Sequence, residues 1–251
     1  MATTLGSPAK VSGAIAPSPP GQRYDHYFFS GVAVLMLATV FVGFAPTYYL
    51  AGIFQAPLPN RLIHIHGAAF SAWMLLLIVQ TSLVSAGRVA IHRRLGIAGM
   101  ILACLMVVVG VMAATDTLIR QGPPGRDPRS FYAIPLANMV VFGTLIVFAF
   151  RARFNPTAHK RLILLATNAL LIAAIARWPL TLVHRNSIMA GRVSYLFLLM
   201  LVLYDLWSMR KLHRATLWAG AFLVAVQQLA IPIGRSAPWR AFAGWVQSAV
   251  G

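Results

Sequence analysis

The chain contains no glutamate, and its only carboxylate side chains are Asp25, Asp116, Asp127 and Asp205. Paired-carboxylate acid and base chemistry therefore has almost nothing to work with, and histidine is left as the main titratable group. Cysteine is scarcer still. Cys104 stands alone inside an apolar run, forms no intrachain disulfide, says nothing about redox compartment, and reads as a small core residue. P-loop, GxGxxG, HExxH and Ser/His/Asp arrangements are absent, and "GPPG" at Gly122 to Gly125 reads as turn chemistry in a loop. Charged residues make up 10% of the chain and are nearly all of one sign, with 21 Lys+Arg giving a formal net charge of +17.

What is abundant is apolar. Hydrophobic residues reach 59% and mean hydropathy is +0.75, far from a soluble globular composition. In a soluble chain such a cationic excess would suggest nucleic acid. Here the cations sit in short loops between apolar runs, where they act as topology signals and contacts for anionic lipid. A lipid bilayer is the expected partner, and nucleic acid is not.

Residues 1–27 are rich in Ala, Ser, Pro and Gly ("GSPAKVSGAIAPSPPGQ"), a composition too poor in apolar side chains to order itself, and are expected to form a disordered tail. They do not read as a secretory signal, because the first long apolar run starts late and leads into further spans. Seven runs then approach the roughly 20 residues that cross a bilayer. They are Phe28 to Leu50, Ile63 to Val84, Leu95 to Ala114, Ala133 to Phe150, Leu162 to Val183, Val193 to Met209 and Ala215 to Ile233. Backbone groups in lipid must be satisfied internally, so these runs are expected to be helices. The expected fold class is an all-α polytopic bundle of about seven transmembrane helices over 28–234, followed by an external segment, 235–251. Twelve of the 21 cations, including Arg88, Arg93, Arg94, Arg151, Arg153, Lys160, Arg161, Arg210, Lys211 and Arg214, fall on the side of the tail. The contrast is sharper in the short loops, which predicts a cytoplasmic N-terminus.

Histidines gather at helix ends. His92 ("HRRLG"), His159 ("HKRL") and His213 ("HRAT") each open a helix that leaves the tail side. Each is explained either as an interfacial anchor or helix cap, or by a shared ligating role. On the opposite side His64 and His66 open the second helix, and His184 follows the fifth. His66, Trp73 and Gln80 recur every seven residues, within about 40° on one helical face, with Phe70 between them. That face is expected to point inward, either as a hydrogen-bonding stripe between helices or as part of a site. From His92, Gly96, Gly99, Ala103 and Gly110 form a small-residue groove, suited to close helix packing or to a flat macrocycle with His92 as axial ligand. In the fifth run, Arg177 stands among apolar residues, eighteen positions and five turns from His159. It calls for a partner, either Asp116 or an acidic cofactor group such as a propionate. Asp205 pairs either with loop cations or with the free nitrogen of a ligating histidine such as His159 or His213.

The stretch "HIHGAAFSAWMLLLIVQTSLVSAGRVAIHRRLGIAGM", with "HKRLILLATNALLIAAIARWP" later, resembles the pattern of an uncharacterised bacterial family of multi-pass membrane proteins. The shared features are a His opening one helix, a Gln near its end, an H-R-x-L-G start to the next, and an H-[RK]-R-x-[ML] helix ending in Arg. Ile163 meets the last motif only loosely. This resemblance implies a bacterial inner membrane location. More distantly, a four-helix core with histidines at both faces is similar to the di-haem transmembrane cytochromes b. That likeness implies His92 and His159 as one axial pair, and His66 as a ligand at the other face. The fourth helix supplies no histidine, only Asn138 and Met139 near that level, and His184 would serve only if the chain folds back after Pro179.

The leading expectation is thus a haem b protein of electron transfer working with a redox partner. Its cofactor-binding residues are His92, His159, His66 and Arg177, with Arg93, Arg94 and Arg161 toward propionates. The alternatives are an anion or small-solute pathway along His66, Gln80, Asn168 and Arg177, a zinc or iron site of His92, His159 and His213, or a structural subunit.

Overall fold

A computed structural model of the chain describes residues 24–57, 59–120 and 125–250. It holds eight α-helices: α1 (Asp25–Phe44), α2 (Arg61–Ser85), α3 (Val89–Ile119), α4 (Pro128–Arg151), α5 (Pro156–Ile175), α6 (Ser187–Met209), α7 (Arg214–Arg235) and α8 (Ala237–Val250). A π-helical turn, Ala45–Tyr49, prolongs α1. There is no strand among the described residues, and α1 to α7 are long and apolar enough to cross a membrane. The chain is an all-α, multi-pass integral membrane protein. Of the expected tail, 1–23 lie outside the described residues, while residues 25–27 already belong to α1.

Helix ends follow local chemistry. Asn60, Asn155 and Asn186 sit at the N-caps of α2, α5 and α6, where their side-chain oxygens accept from the N–H groups of Ile63, Ala158 and Met189. Pro128 and Pro156 open α4 and α5, at positions where an N–H would have no partner within the helix. The fifth span ends at Ile175 rather than running to Val183. Arg177, Trp178 and Pro179 leave the helix in a turn, which the Arg185 N–H closes by donating to Ala176 O at 2.8 Å. Residues 180–183 are apolar by composition but not helical, because the proline and the Asn186 cap start a new element at Ser187.

Helices α1 to α5 close a ring in which each packs on the next and α5 returns to α1; α6 and α7 cover α5, and α7 also lies on α4. The core centres on α5, 67% of whose apolar window is buried, against 17% for α2 at the periphery. Lipid is as apolar as leucine, so helices associate through close packing and hydrogen bonds rather than hydrophobic burial. Outward stripes such as Ile97, Ile101, Leu105, Val108 and Met112 on α3 remain exposed for acyl chains. Inward, a Cβ on Gly43 would run into the carbonyl and Cα of Ala174, so α1 and α5 touch backbone to backbone. Backbone cannot step aside as a flexible side chain does. Gly43→Val should therefore destabilise the bundle by about 1–3 kcal/mol, read as a lowered melting temperature in detergent. An unchanged melting temperature would refute the close approach.

The segment after α7 forms α8. Helix α8 packs over the ends of α3 and α4, with Ala243 buried, Trp239 Nε1 donating to Arg129 O at 2.9 Å and Gln247 Nε2 donating to Leu118 O at 3.2 Å. Its exposed Phe242 and Trp245 suit a membrane interface.

Candidate functional site at the paired histidines

Helices α1, α3, α5 and α7 begin on one side of the bundle, the tail face; α2, α4 and α6 begin on the far face. His92 and His159 are each the fourth residue of their helix. The ring of α1 to α5 brings the two starts together, so that the imidazole centres lie 6.3 Å apart with their planes at 87°. Neither residue caps its helix, since the N-caps are Arg88 and Asn155.

The nitrogens of the two rings are unequally occupied. His159 Nδ1 lies 2.8 Å from Ala149 O, one of the last carbonyls of α4, which have no partner within the helix. A carbonyl only accepts, so Nδ1 is the donor in this contact. His92 Nδ1 is buried without a partner, as is Gln80 Oε1 beside it on α2, while Gln80 Nε2 donates to His92 O at 3.3 Å. An imidazole nitrogen binds a transition metal at about 2.0–2.1 Å, and the ring centre lies about 1.1 Å behind it. The ring centres found are close enough that one metal ion could be held by a nitrogen of each.

No protein-family model, curated protein or solved structure matches this chain. What the site can do is therefore argued from its own geometry.

The third member of the motif set stands apart. His213 is the N-cap of α7, its Nδ1 accepting from the Ala215 N–H at 3.0 Å. Burial, then the Arg161 charge, hold His213 below the usual imidazole range, which keeps it neutral and able to accept. The cap reading applies to His213 and not to the other two. Among the described residues no three His, Cys, Asp or Glu side chains are disposed to hold a metal, so the site of His92, His159 and His213 is not assembled.

Two further expectations change. The small-residue face of α3 is packed: a Cβ on Gly99 would lie 3.0 Å from Leu76 Cδ2, and one on Gly110 would strike Met139 Sδ. It is a helix-packing groove, leaving no room for a macrocycle laid along it. Cys104, one position round, is exposed on the outer surface rather than in the core.

Arg161, expected toward propionates, is 1% exposed and committed elsewhere. Its Nε and Nη2 donate to Asp205 Oδ1 at 2.9 and 2.5 Å, and Nη1 donates to Thr157 O at 2.8 Å. Asp205, fully buried, takes Thr216 Oγ1 at 2.5 Å and the His213 N–H at 3.2 Å on its other oxygen. It thus pairs with a cation and not with a histidine ring. Arg93 and Arg94 stay exposed beside His92. Between the tail-face ends of α1, α5 and α6 lies a cavity of about 140 Å³ bounded by Asp25, Lys160, Arg161, Ser208 and Met209, which neither His92 nor His159 lines.

At the far face, His66 is half-buried against Phe70, with ring centres 4.1 Å apart, and its Nδ1 has no partner. No second histidine ring lies beside it among the described residues. Asn138 accepts from Gln227 Nε2 at 2.9 Å, and Met139 fills the space at Gly110, so neither is a partner for His66. The chain does fold back after Pro179, but His184 is exposed, with Nδ1 3.3 Å from Trp178 O. Arg177 does not meet Asp116. Asp116 Oδ1 accepts from Arg120 Nε at 2.9 Å, and Oδ2 from Asn60 Nδ2 at 3.1 Å. Of the stripe on α2, Trp73 is a helix-to-helix tie, its Nε1 donating to Thr167 Oγ1 of α5 at 3.1 Å.

Proposed function

We propose that His92 and His159 are the axial ligands of a haem b, and that the protein carries electrons within the membrane to a redox partner. One observation carries this reading: two residues 67 positions apart present their imidazoles close enough for one metal ion to be held by a nitrogen of each. Bound there, haem would supply one-electron chemistry, with its potential set by the two ligands and their surroundings.

The chain's own groups support the assignment. The Ala149 carbonyl holds His159 in one tautomer and one orientation, as a hydrogen-bond partner behind a ligating imidazole does. Both residues lie in the first turn of their helices, so the two rings share one level of the bundle. Exposed Arg93 and Arg94 are available to carboxylate groups at the tail face. His66 is not part of this reading, because nothing faces it as a second ligand.

The test is an absorption spectrum of the purified full chain, air-oxidised and then dithionite-reduced, with metal analysis of the same sample. A b-type reduced spectrum with stoichiometric iron is expected. A colourless preparation, from cells that load haem into a control cytochrome, would overturn it.

A further inference from the structure

Every carboxylate side chain of this protein is already engaged. Asp25 is paired with Lys160 and accepts from Tyr204, Asp116 binds Arg120 and Asn60, Asp127 binds Ser130 and Arg240, and Asp205 binds Arg161. With no glutamate in the sequence, no acidic side chain is left to neutralise Arg177. Most other unpaired cations lie in loops or in the outermost turns of their helices, where water or headgroups solvate them. Arg177 lies just past the end of α5, exposed on one side and flanked by Phe44 of α1 on another.

Three helices end around it. At the far end of α1, the contact of Gly43 with Ala174 sets Phe44 so that its ring centre is 4.7 Å from the Arg177 guanidinium carbon. The π-helical turn then begins, a departure from regular helix often found at functional positions. From it Tyr48 reaches over α2, donating from its hydroxyl to His64 O at 3.2 Å. Gly67 makes room for that ring, since a Cβ there would lie 2.6 Å from Tyr48 Cζ. Beside Gly67 is His66, near enough to feel the Arg177 charge, with Nδ1 buried and unpartnered. Arg177 uses one of its five N–H donors within the chain, Nη1 to Ala173 O at 2.6 Å.

We propose that the surface between the far ends of α1, α2 and α5 binds an oxyanion, a carboxylate or phosphate group, with Arg177 as its charge partner and His66 as a neighbouring hydrogen-bonding group. Guanidinium presents paired donors that match two oxygens of such a group, and the Phe44 ring packs within 4.7 Å of it. A carboxylate metabolite and the phosphate of an anionic lipid share this chemistry. The site lies at the opposite face from His92 and His159 and stands whether or not those residues bind haem.

The experiment uses the delipidated full chain in dodecyl maltoside, titrated at constant ionic strength with succinate, inorganic phosphate or short-chain phosphatidylglycerol, while the melting temperature is followed. A saturable rise is expected with at least one probe, with affinity falling at least about tenfold in Arg177→Gln and far less in Arg177→Lys. A rise with succinate or phosphate identifies a soluble anion, and a rise with the lipid alone identifies a headgroup. No saturable rise, or the same rise in Arg177→Gln, overturns the proposal. Should that variant fail to fold, phenylglyoxal labelling of the wild-type chain decides. The bound anion should slow modification of Arg177 at least about tenfold relative to exposed Arg120, and equal rates with and without anion would overturn the site.

Discussion

Asp205→Ala is expected to destabilise the protein by about 3–5 kcal/mol, the largest stability effect of any single substitution considered for this chain. The carboxylate is fully buried, and it is the ion-pair partner of an Arg161 that is 1% exposed. Removing it strands a guanidinium in a low-dielectric interior and frees the Thr216 hydroxyl and the His213 N–H together. Asp205→Asn should fall between, because the amide oxygen still accepts but carries no charge. The discriminating variant is Arg161→Leu with Asp205→Leu. Without either charge there is no desolvation cost, so the double variant should be closer to wild type than Asp205→Ala is. Unfolding of the purified proteins in detergent by heat or denaturant measures the order. If Asp205→Ala matches wild type, the ion pair does not hold α5 to α6 and α7.

The sequence offered Asp205 a loop cation as partner without singling out Arg161. Arg177 drew attention because it interrupts an apolar run, whereas Arg161 follows Lys160 and looks like one more interfacial cation. The structure reverses the two: α5 ends at Ile175, which puts Arg177 in a turn, and Arg161 lies inside the helix facing α6. A signal was present. Arg161, Asn168 and Ile175 recur every seven residues, a face that includes buried polar groups, and Asp205 is the only acid placed well inside an apolar run. Hydropathy averages report length and not facing, so they located seven helices and overran the fifth by eight residues, from Ile175 to Val183. They were equally blind to α8, whose alternation of Trp, Phe and Ala with polar residues is amphipathic rather than apolar. The histidine motifs were the more legible part. Recurrence of His before a basic residue at three helix starts singled out three residues, and only packing separates a cap from a facing pair.

That separation sets up the second large effect. If His92 and His159 hold a haem b, His92→Ala and His159→Ala should each abolish the b-type absorbance, because each removes one of the two side chains that would hold the group. His213→Ala is the matched control. It removes a cap worth about 1 kcal/mol and lowers the melting temperature, but it should leave the spectrum intact, since that imidazole faces Ala215 and not the pair. A structural account of the same histidines predicts a different ordering. If His159 serves only to cap the Ala149 carbonyl, His159→Asn, which can still donate there, should behave as wild type in every respect. As an axial ligand, His159→Asn should keep the fold and lose the colour. Retention of a b-type spectrum in either alanine variant would remove that residue from the axial pair, and retention in both would sink the haem assignment at this site.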